Sequence, residues 1–421
     1  MKLLFLTNFF PPNDIGGYEQ LCDEVAGLLR DRGHDVFILT SRLYKKSLPR
    51  TDSKKIFRVL YLESDINYYQ PLDFFLKRKI RDKTNIGYLR KAIKEISPEI
   101  IMVWGMWNLS LRLPFWAEKV LPGRVIYYIA SYWPTDENPH AAYWKLPTNR
   151  PYLAGIKNIL KSYSLSRLKD EDYPPTIKFD HAYCCSEFVK NRLTEAGKLQ
   201  KSASVIYNGI DPKLFLEQSK NKCNHKDSSL RLLYFGRLIH DKGIHTAIEA
   251  LGILKRRGLA QNIILTVLGS GHPDYEKKLL HLTAKLDVVD HIVFSKPVRR
   301  DEIPQIIGEF DIYLFTSIWP EPMARTVMEA MAAGLLVIGT EVGGQKEMLI
   351  NGENALTFPP ENPECLAEQI MIAKNDPELR QRLAQAGQQT IIQKFTLDRM
   401  VNEIESKLNI ILAEVPETNR K

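Results

Sequence analysis

The chain has 421 residues, of which 44% are hydrophobic and 26% charged, with a net charge of +8. That length suggests two or three domains, each large enough for its own core, and the ordinary composition excludes a disordered, collagen-like or low-complexity chain. No run of 18 apolar residues occurs, and the longest candidate, residues 100–107, contains Gly105, which excludes a spanning helix.

In chain order, Leu3–Thr7 reads as a buried strand: its apolar stretch is too short for a signal peptide, and Pro11-Pro12 follow closely. A loop with Gly16-Gly17, a helix-period stretch from Tyr18 to Arg32, a stop at Gly33 and a strand at Val36–Thr40 come next. Further strands are expected at Ile100–Trp104, Val125–Ile129, His181–Cys185 and Ser204–Tyr207. The polar, Lys/Asn-rich stretch from Phe215 to Ser229 reads as a linker. The second half then repeats the opening pattern: strand Leu232–Gly236, a loop with Gly243, helix Ile244–Arg257, a stop at Gly258 and strand Ile263–Leu268. Ile292–Phe294, Ile312–Phe315 and Leu336–Gly339 are its later strands, and Leu397–Leu412 is an amphipathic helix.

Near-continuous apolar strands suit a parallel sheet buried on both faces. The expected fold is therefore α/β, two doubly wound Rossmann-like domains in tandem facing a central cleft. The expected boundaries are 1–207 for the first domain, 208–229 for the linker, 230–395 for the second domain, and 396–421 for a terminal helix packing back on the first.

The charge is uneven. Residues 1–205 hold 32 Lys and Arg against 22 Asp and Glu, and the remainder is slightly acidic. The densest basic cluster is Lys77–Lys83. The segment Ile156–Leu168 interleaves Lys157, Lys161 and Arg167 with apolar residues. Two readings stay open: a solvated, packed basic face without a partner, or attraction to a polyanion, an acidic substrate or the surface of an anionic membrane. No aromatic–basic recognition motif accompanies the charge, so no nucleic-acid partner is expected. The five cysteines are odd in number and lack metal-ligand spacing, which suits reduced thiols in a cytoplasmic protein, with peripheral membrane contact as a further option.

Chemistry gathers at strand ends. Trp319–Met331 follows the strand at Ile312–Phe315 and opens a helix, placing Glu321 just before it and Glu329 inside it. A helix N-terminus offers free amides and a positive dipole end to phosphate, and a carboxylate there can accept from sugar hydroxyls. The bland alternative is a pair of ordinary early-helix carboxylates. Gly236 ends a strand, and Arg237 and Lys242 flank its loop, a fork and a point charge suited to a pyrophosphate. Gly16-Gly17 is a candidate anion-binding turn in the first half, and Gly339–Gly344 forms a further loop beside the Glu pair.

With these pieces in this order, the chain resembles the retaining GT-B glycosyltransferases, specifically glycosyltransferase family 4. The resemblance covers nearly the whole length. It rests on Gly16-Gly17 with Arg32–Val36, Val205–Asp211, Gly236-Arg237-Leu238 with Lys242-Gly243, the Glu321/Glu329 pair, Gly343–Glu347 and Asn351-Gly352. It implies a metal-independent transferase of hexosyl type in polysaccharide or glycoconjugate biosynthesis. The donor would be a nucleotide sugar, a UDP- or GDP-sugar by expectation, with no bound cofactor and no metal. A glycan, glycolipid or phosphate-bearing acceptor would bind the first domain. Arg237 and Lys242 would hold the diphosphate, Glu321 the donor sugar and Glu329 the ribose. Met323, Ala324 and Arg325 would border sugar and phosphate, Lys296-Pro297-Val298 the base, and Gly16, Gly17 and Gly236 would approach the donor closely.

The chain departs from the family pattern in places. Ala130-Ser131 stand where many relatives carry His-Asp, with His140 as a substitute or a solvated loop residue. Met323-Ala324 replace Phe-Gly, and Lys296 replaces a Gly. Asp170-Glu171-Asp172 imitates a metal motif of the other glycosyltransferase fold but does not follow a buried strand. The stretch Trp133–Trp144 is expected to form a hydrophobic acceptor loop. A dehydrogenase is disfavoured because Asn13–Gly17 lacks Gly-x-Gly-x-x-Gly spacing. A non-catalytic nucleotide-sugar-binding relative acting as a partner subunit is the alternative that Ala130-Ser131 would favour.

Overall fold

The computed structural model describes residues 1–13, 16–42, 55–66, 68–148, 151–220 and 229–414. The chain forms two compact units. The first comprises Met1–Cys185, Val189–Ile206 and Val401–Lys421; the second comprises Ser186–Phe188 and Tyr207–Met400.

The first unit is built on a seven-stranded parallel sheet: β1 Lys2–Leu6, β2 Asp35–Ser41, β3 Ile56–Leu60, β4 Ile100–Val103, β5 Val125–Ile129, β6 His181–Cys184 and β7 Ser204–Val205. Its spatial order is β3-β2-β1-β4-β5-β6-β7. Leu4 pairs with Phe37 on one side and with Ile101 on the other, so every residue of the central strand from Leu3 to Leu6 is fully buried. This explains the absence of alternation: a parallel strand covered on both faces has no polar side to show. The helices are α1 Gly17–Asp31, α2 Pro71–Leu76, α3 Arg78–Ile96, α4 Arg112–Val120, α5 Pro139–Lys145, α6 Ala154–Asp170 and α7 Glu187–Glu195. Helix α1 turns Leu21, Cys22, Val25 and Leu29 inward at helical spacing and stops at Gly33, whose φ is +87°.

The second unit has a six-stranded parallel sheet: β8 Leu230–Phe235, β9 Ile263–Leu268, β10 Ile292–Ser295, β11 Ile312–Phe315, β12 Leu336–Thr340 and β13 Leu356–Phe358, in the order β10-β9-β8-β11-β12-β13. Its helices are α8 Lys213–Lys220, α9 Ile244–Arg256, α10 Pro273–Lys285, α11 Ile303–Ile307, α12 Arg325–Ala332, α13 Pro363–Asn375 and α14 Pro377–Lys394, followed by α15 Leu397–Glu414, which begins in this unit and ends in the first. Its core joins Leu232, Ile248, Leu251, Leu265, Leu314, Ile338 and Ile370, among others. Each such fully buried side chain is worth about 1.5–3 kcal/mol of transfer free energy.

Two strands, β3 and β13, lie outside the sequence expectation. Both are short edge strands, β3 interrupted by Arg58 and β13 only three residues long with Thr357 at its centre. The stretch expected as a linker is partly helical: Lys213–Lys220 is α8, and the chain from Tyr207 to Met400 belongs to the second unit. Residues 221–228 of that stretch lie outside the described residues.

In each sheet the strand order reverses at one point: between β1 and β4, and between β8 and β11. Helices leave in opposite directions there and open a crevice at the carboxyl ends, the place where ligands of such sheets bind.

Candidate active site

The second unit's switch point receives the loops after β8 and β11, and these carry Arg237, Lys242 and Glu321. Lys242 Nζ donates to Glu321 Oε1, and Ser317 Oγ donates to the same oxygen at 3.0 Å. The two loops are tied along their backbones. Thr316 Oγ1 donates to Lys242 O at 2.8 Å, and Ile318 N donates to Asp241 O at 2.8 Å. Gly243 makes this approach possible. Its φ is +65°, and a Cβ there would lie 2.0 Å from Thr316 O.

Glu321 is fixed from the other side by the loop after β12. Gly344 N donates to Glu321 O at 2.8 Å, and a Cβ on Gly344 would stand 2.0 Å from Pro322 O. The sequence reading of Gly339–Gly344 as a strand-to-helix loop is refined: the segment Gly343–Glu347 is a single 3-10 turn. Thr340 Oγ1 also donates to Ser317 O at 2.7 Å, so the end of a third strand holds the backbone of the loop whose carboxylate the other two contact.

Helix α12 opens at Arg325, after Met323 and the N-cap Ala324. Asn208 Nδ2 donates to Met323 O at 3.2 Å. Glu329 lies one turn inside α12, and it is wholly buried. Its Oε1 accepts from Arg300, whereas its Oε2 has no hydrogen-bond partner. A buried carboxylate oxygen without a donor is costly unless a ligand hydroxyl satisfies it. Arg325, the first residue of α12, is itself buried.

Arg237 is exposed just past β8. Its carbonyl accepts from the Tyr234 hydroxyl at 2.9 Å, and burial pushes that phenol well above its ordinary pKa, so it stays a neutral donor. Gly236 N donates to Leu268 O, and Leu238 N to Ser270 O, running the loops after β8 and β9 side by side. Lys296 and Pro297 are exposed and Val298 half-buried just after β10. The structure therefore brings Lys242 and Glu321 into contact and places Arg237, Met323, Ala324, Arg325, Glu329 and Lys296–Val298 on loops or a helix start at the same edge of one sheet.

Sequence reading missed Arg300, Ser317 and the Gly269-Ser270-Gly271 loop. The glycines directly after β9 were a legible signal. Arg300 and Ser317 were not, because only the fold sets them against Glu329 and Glu321.

In the first unit, Gly16 is the N-cap of α1 and Gly17 its first residue; Gly16 N donates to Glu19 Oε2 at 3.0 Å. The Tyr18 hydroxyl donates to the carbonyls of Trp104 (2.9 Å) and Tyr128 (2.5 Å), which pins the start of α1 to the ends of β4 and β5.

Two expectations in this unit fail. Trp133 and Trp144 are 3% and 1% exposed, so neither ring is offered at the surface, and the residues exposed between them are the acidic Asp136 and Glu137, which does not fit a hydrophobic loop. His140 is neither solvated nor at a sheet edge. It is buried in α5, its Nδ1 lies 2.7 Å from the Tyr69 hydroxyl, and burial, with Arg78 and Arg81 nearby, holds its imidazole down at about 3. Glu171 of the acidic triplet is held by Arg78 (2.6 Å), Lys79 (2.9 Å) and Arg167 (3.1 Å), a structural ion-pair cluster. Among the described residues, no three His, Cys, Asp or Glu side chains are grouped to hold a metal.

Residues 15–214 match the family described as Glycosyltransferase Family 4, and residues 216–390 match that described as Glycosyl transferases group 1. Spore coat protein SA of Bacillus subtilis is 27% identical over 52% of this chain and 62% of its own length. An uncharacterized glycosyltransferase of Methanocaldococcus jannaschii is 24% identical over 96% of this chain and 97% of its own length. The matches with the first curated relatives span only about half to three fifths of those proteins' length. The crystal structure of Anabaena HepE in complex with UDP and glucose shares the fold, with a TM-score of 0.68 at 20% identity, over 97% of this chain and 99% of that one. With two parallel-sheet Rossmann-like units and family matches that follow one another along the sequence, the chain belongs to the GT-B glycosyltransferases of family 4.

Proposed function

We propose that this chain transfers a hexosyl residue from a nucleotide sugar to an acceptor hydroxyl with retention of anomeric configuration. One observation carries the reading: Lys242, Ser317 and Glu321 form a bonded cluster at the second unit's switch point, beside a helix whose Glu329 keeps a buried, unpartnered oxygen.

In this reading Arg237 and Lys242 bind the donor diphosphate and offset the charge that grows on it as the sugar leaves. Glu321 orients the sugar hydroxyls. Glu329 accepts from the ribose, which satisfies its free oxygen. The backbone at Met323 and Ala324, at the start of α12, faces sugar and phosphate, and Lys296–Val298 border the base. The acceptor oxygen attacks the anomeric carbon on the face from which the phosphate departs. The carbon–oxygen bond to the diphosphate breaks, and the acceptor's proton passes to the departing phosphate oxygen. Sugar is transferred, nucleoside diphosphate is released, and no protein base is required. The cationic pair supplies the charge stabilisation, so the reaction is proposed to run without a metal. HepE's complex with UDP and glucose makes a UDP-sugar the first donor to try and a GDP-sugar the second. A glycan, glycolipid or phosphate-bearing molecule is the proposed acceptor.

The test is a screen of UDP-, GDP- and ADP-sugars in EDTA, reading thermal stabilisation and release of nucleoside diphosphate, with NMR of the product's anomeric centre. Stabilisation by one nucleotide, turnover in EDTA and a retained configuration are expected. Inversion would overturn the mechanism, and binding that never leads to transfer would favour the non-catalytic relative.

A further inference from the structure

The first unit carries two exposed apolar stripes that its own core does not use. In α6 and the 3-10 turn before it, Tyr152, Ile156, Ile159 and Tyr163 recur at spacings of four, three and four and are 54–75% exposed. Across α2 and the start of α3, Leu72, Leu76 and Ile80 recur every four residues and are 65–69% exposed. The stripes adjoin. Phe75, three residues beyond Leu72, stacks on Tyr163 with ring centroids 6.2 Å apart, and Tyr163 lies one turn beyond Ile159. Leu168 is buried, so α6 packs by its opposite side and turns this stripe outward. Isolated exposed apolar residues need no explanation, but a contiguous set of seven on neighbouring helices marks a docking face.

The charge around the stripes selects the occupant. Residues 71–83 and 151–170 together hold nine basic and three acidic side chains. Lys77 and Arg81 pair with Asp73, and Arg78, Lys79 and Arg167 pair with Glu171, while Lys83, Lys157, Lys161 and Lys169 stand outside these pairs. Lys79 and Lys83 bracket Ile80 and line a groove of about 680 Å³ with Arg90 and Arg112, which also contains Asp82 and Glu171. Lys157 and Lys161 interleave with the α6 stripe, and the Lys157 ammonium lies 4.4 Å from the Tyr143 ring centre. Apolar side chains framed by lysines complement a bilayer surface: the stripe enters the acyl boundary while the ammonium groups stay among anionic headgroups. We propose that the α2–α3 and α6 face docks the protein onto an anionic lipid bilayer. No described helix is long and apolar enough to cross one, so the contact is interfacial. The docking stands independently of the transfer reading, because none of these residues belongs to the candidate active site.

The test is co-sedimentation of the full chain with phosphatidylcholine vesicles, with and without about one third phosphatidylglycerol, at low and high salt. Binding is expected only to the anionic vesicles and should weaken with salt. Ile156→Ser with Ile159→Ser, and separately Lys79→Glu with Lys83→Glu, should each reduce it by about tenfold or more. Val293→Ser, an exposed apolar residue of the second unit, should leave it unchanged. Circular dichroism melts show that each variant is folded. Equal binding to neutral vesicles, or no binding to either, would overturn the proposal. So would a concentration-dependent dimer that the α6 double variant converts to monomer, which would make this face a contact between copies of the chain.

Discussion

Lys242 and Glu321, 79 residues apart in the sequence, form an ion pair between the loops after β8 and β11 of the second unit, and Ser317 donates to the same Glu321 oxygen. The pair is only partly exposed, so each charge depends on the other. A donor diphosphate entering beside Lys242 would compete with Glu321 for the ammonium, leaving the carboxylate free to accept from sugar hydroxyls. Glu321→Gln keeps the shape and loses the charge. It should lower the transfer rate by about 100-fold while moving the melting temperature little. Lys242→Ala should lower both the rate and the affinity for nucleoside diphosphate. Steady-state kinetics and calorimetric titration with UDP separate the two effects.

Gly243 lies where β-carbons do not fit. With a φ of +65° and Thr316 O 2.0 Å from an added Cβ, Gly243→Ala must move the loop that carries Lys242. The expected cost is about 1–3 kcal/mol or more, read as a lower denaturant midpoint, together with a loss of transfer. Gly258→Ala also falls at a positive φ, but no atom lies within 4 Å of an added Cβ, so it should retain activity.

Glu329 has one oxygen on Arg300 and one unpartnered. If ribose satisfies the second, Glu329→Gln should weaken UDP binding by roughly 1.5–3 kcal/mol. The loss should be much smaller when the ligand is a UDP analogue lacking the ribose hydroxyls. A titration of both ligands against both proteins forms the double-mutant cycle.

Stability should fall as pH rises above neutrality. Burial, aided by Asp82, pushes the Glu63 carboxyl up to about 8. The folded state therefore binds this proton more tightly than the unfolded state. Its contribution is complete below the ordinary carboxylate range and is lost as pH rises towards 8. His140 works the other way: its depressed value favours folding above its ordinary value and fades as pH falls towards 3. From about pH 6.5 to 8 only the Glu63 contribution of the two changes. Unfolding free energy from urea titrations should decline over that window, and Glu63→Gln should flatten the decline. Its amide oxygen can still accept from Asn138 while its amide nitrogen donates to the Tyr173 hydroxyl oxygen, the two groups that now hold the carboxyl.

The two sheets were legible because buried parallel strands carry unbroken apolar runs, and the glycine stops after α1 and α9 mark where left-handed backbone ends a helix. Motif order likewise placed Arg237, Lys242, Glu321 and Glu329 at strand ends or in a helix start, which is where the structure has them. Strands β3 and β13 escaped because Arg58 and Thr357 interrupt runs of only five and three residues, too short to mark a strand by themselves. His140, Trp133 and Trp144 were misplaced because the residue type does not reveal whether a short loop folds inward.

The sequence alone thus determined the tandem α/β architecture, the loops that follow β8 and β11 at the second sheet's switch point and the basic first half. Only the tertiary structure decided that Ser317 and Lys242 share one oxygen of Glu321, that Arg300 reaches Glu329, and that the apolar residues of α6 divide into a buried Leu168 and an outward stripe. The reason is physical. Strand periodicity and glycine stops are local properties of the chain, whereas a contact between distant loops, or the side a helix turns to its core, exists only once the elements have packed.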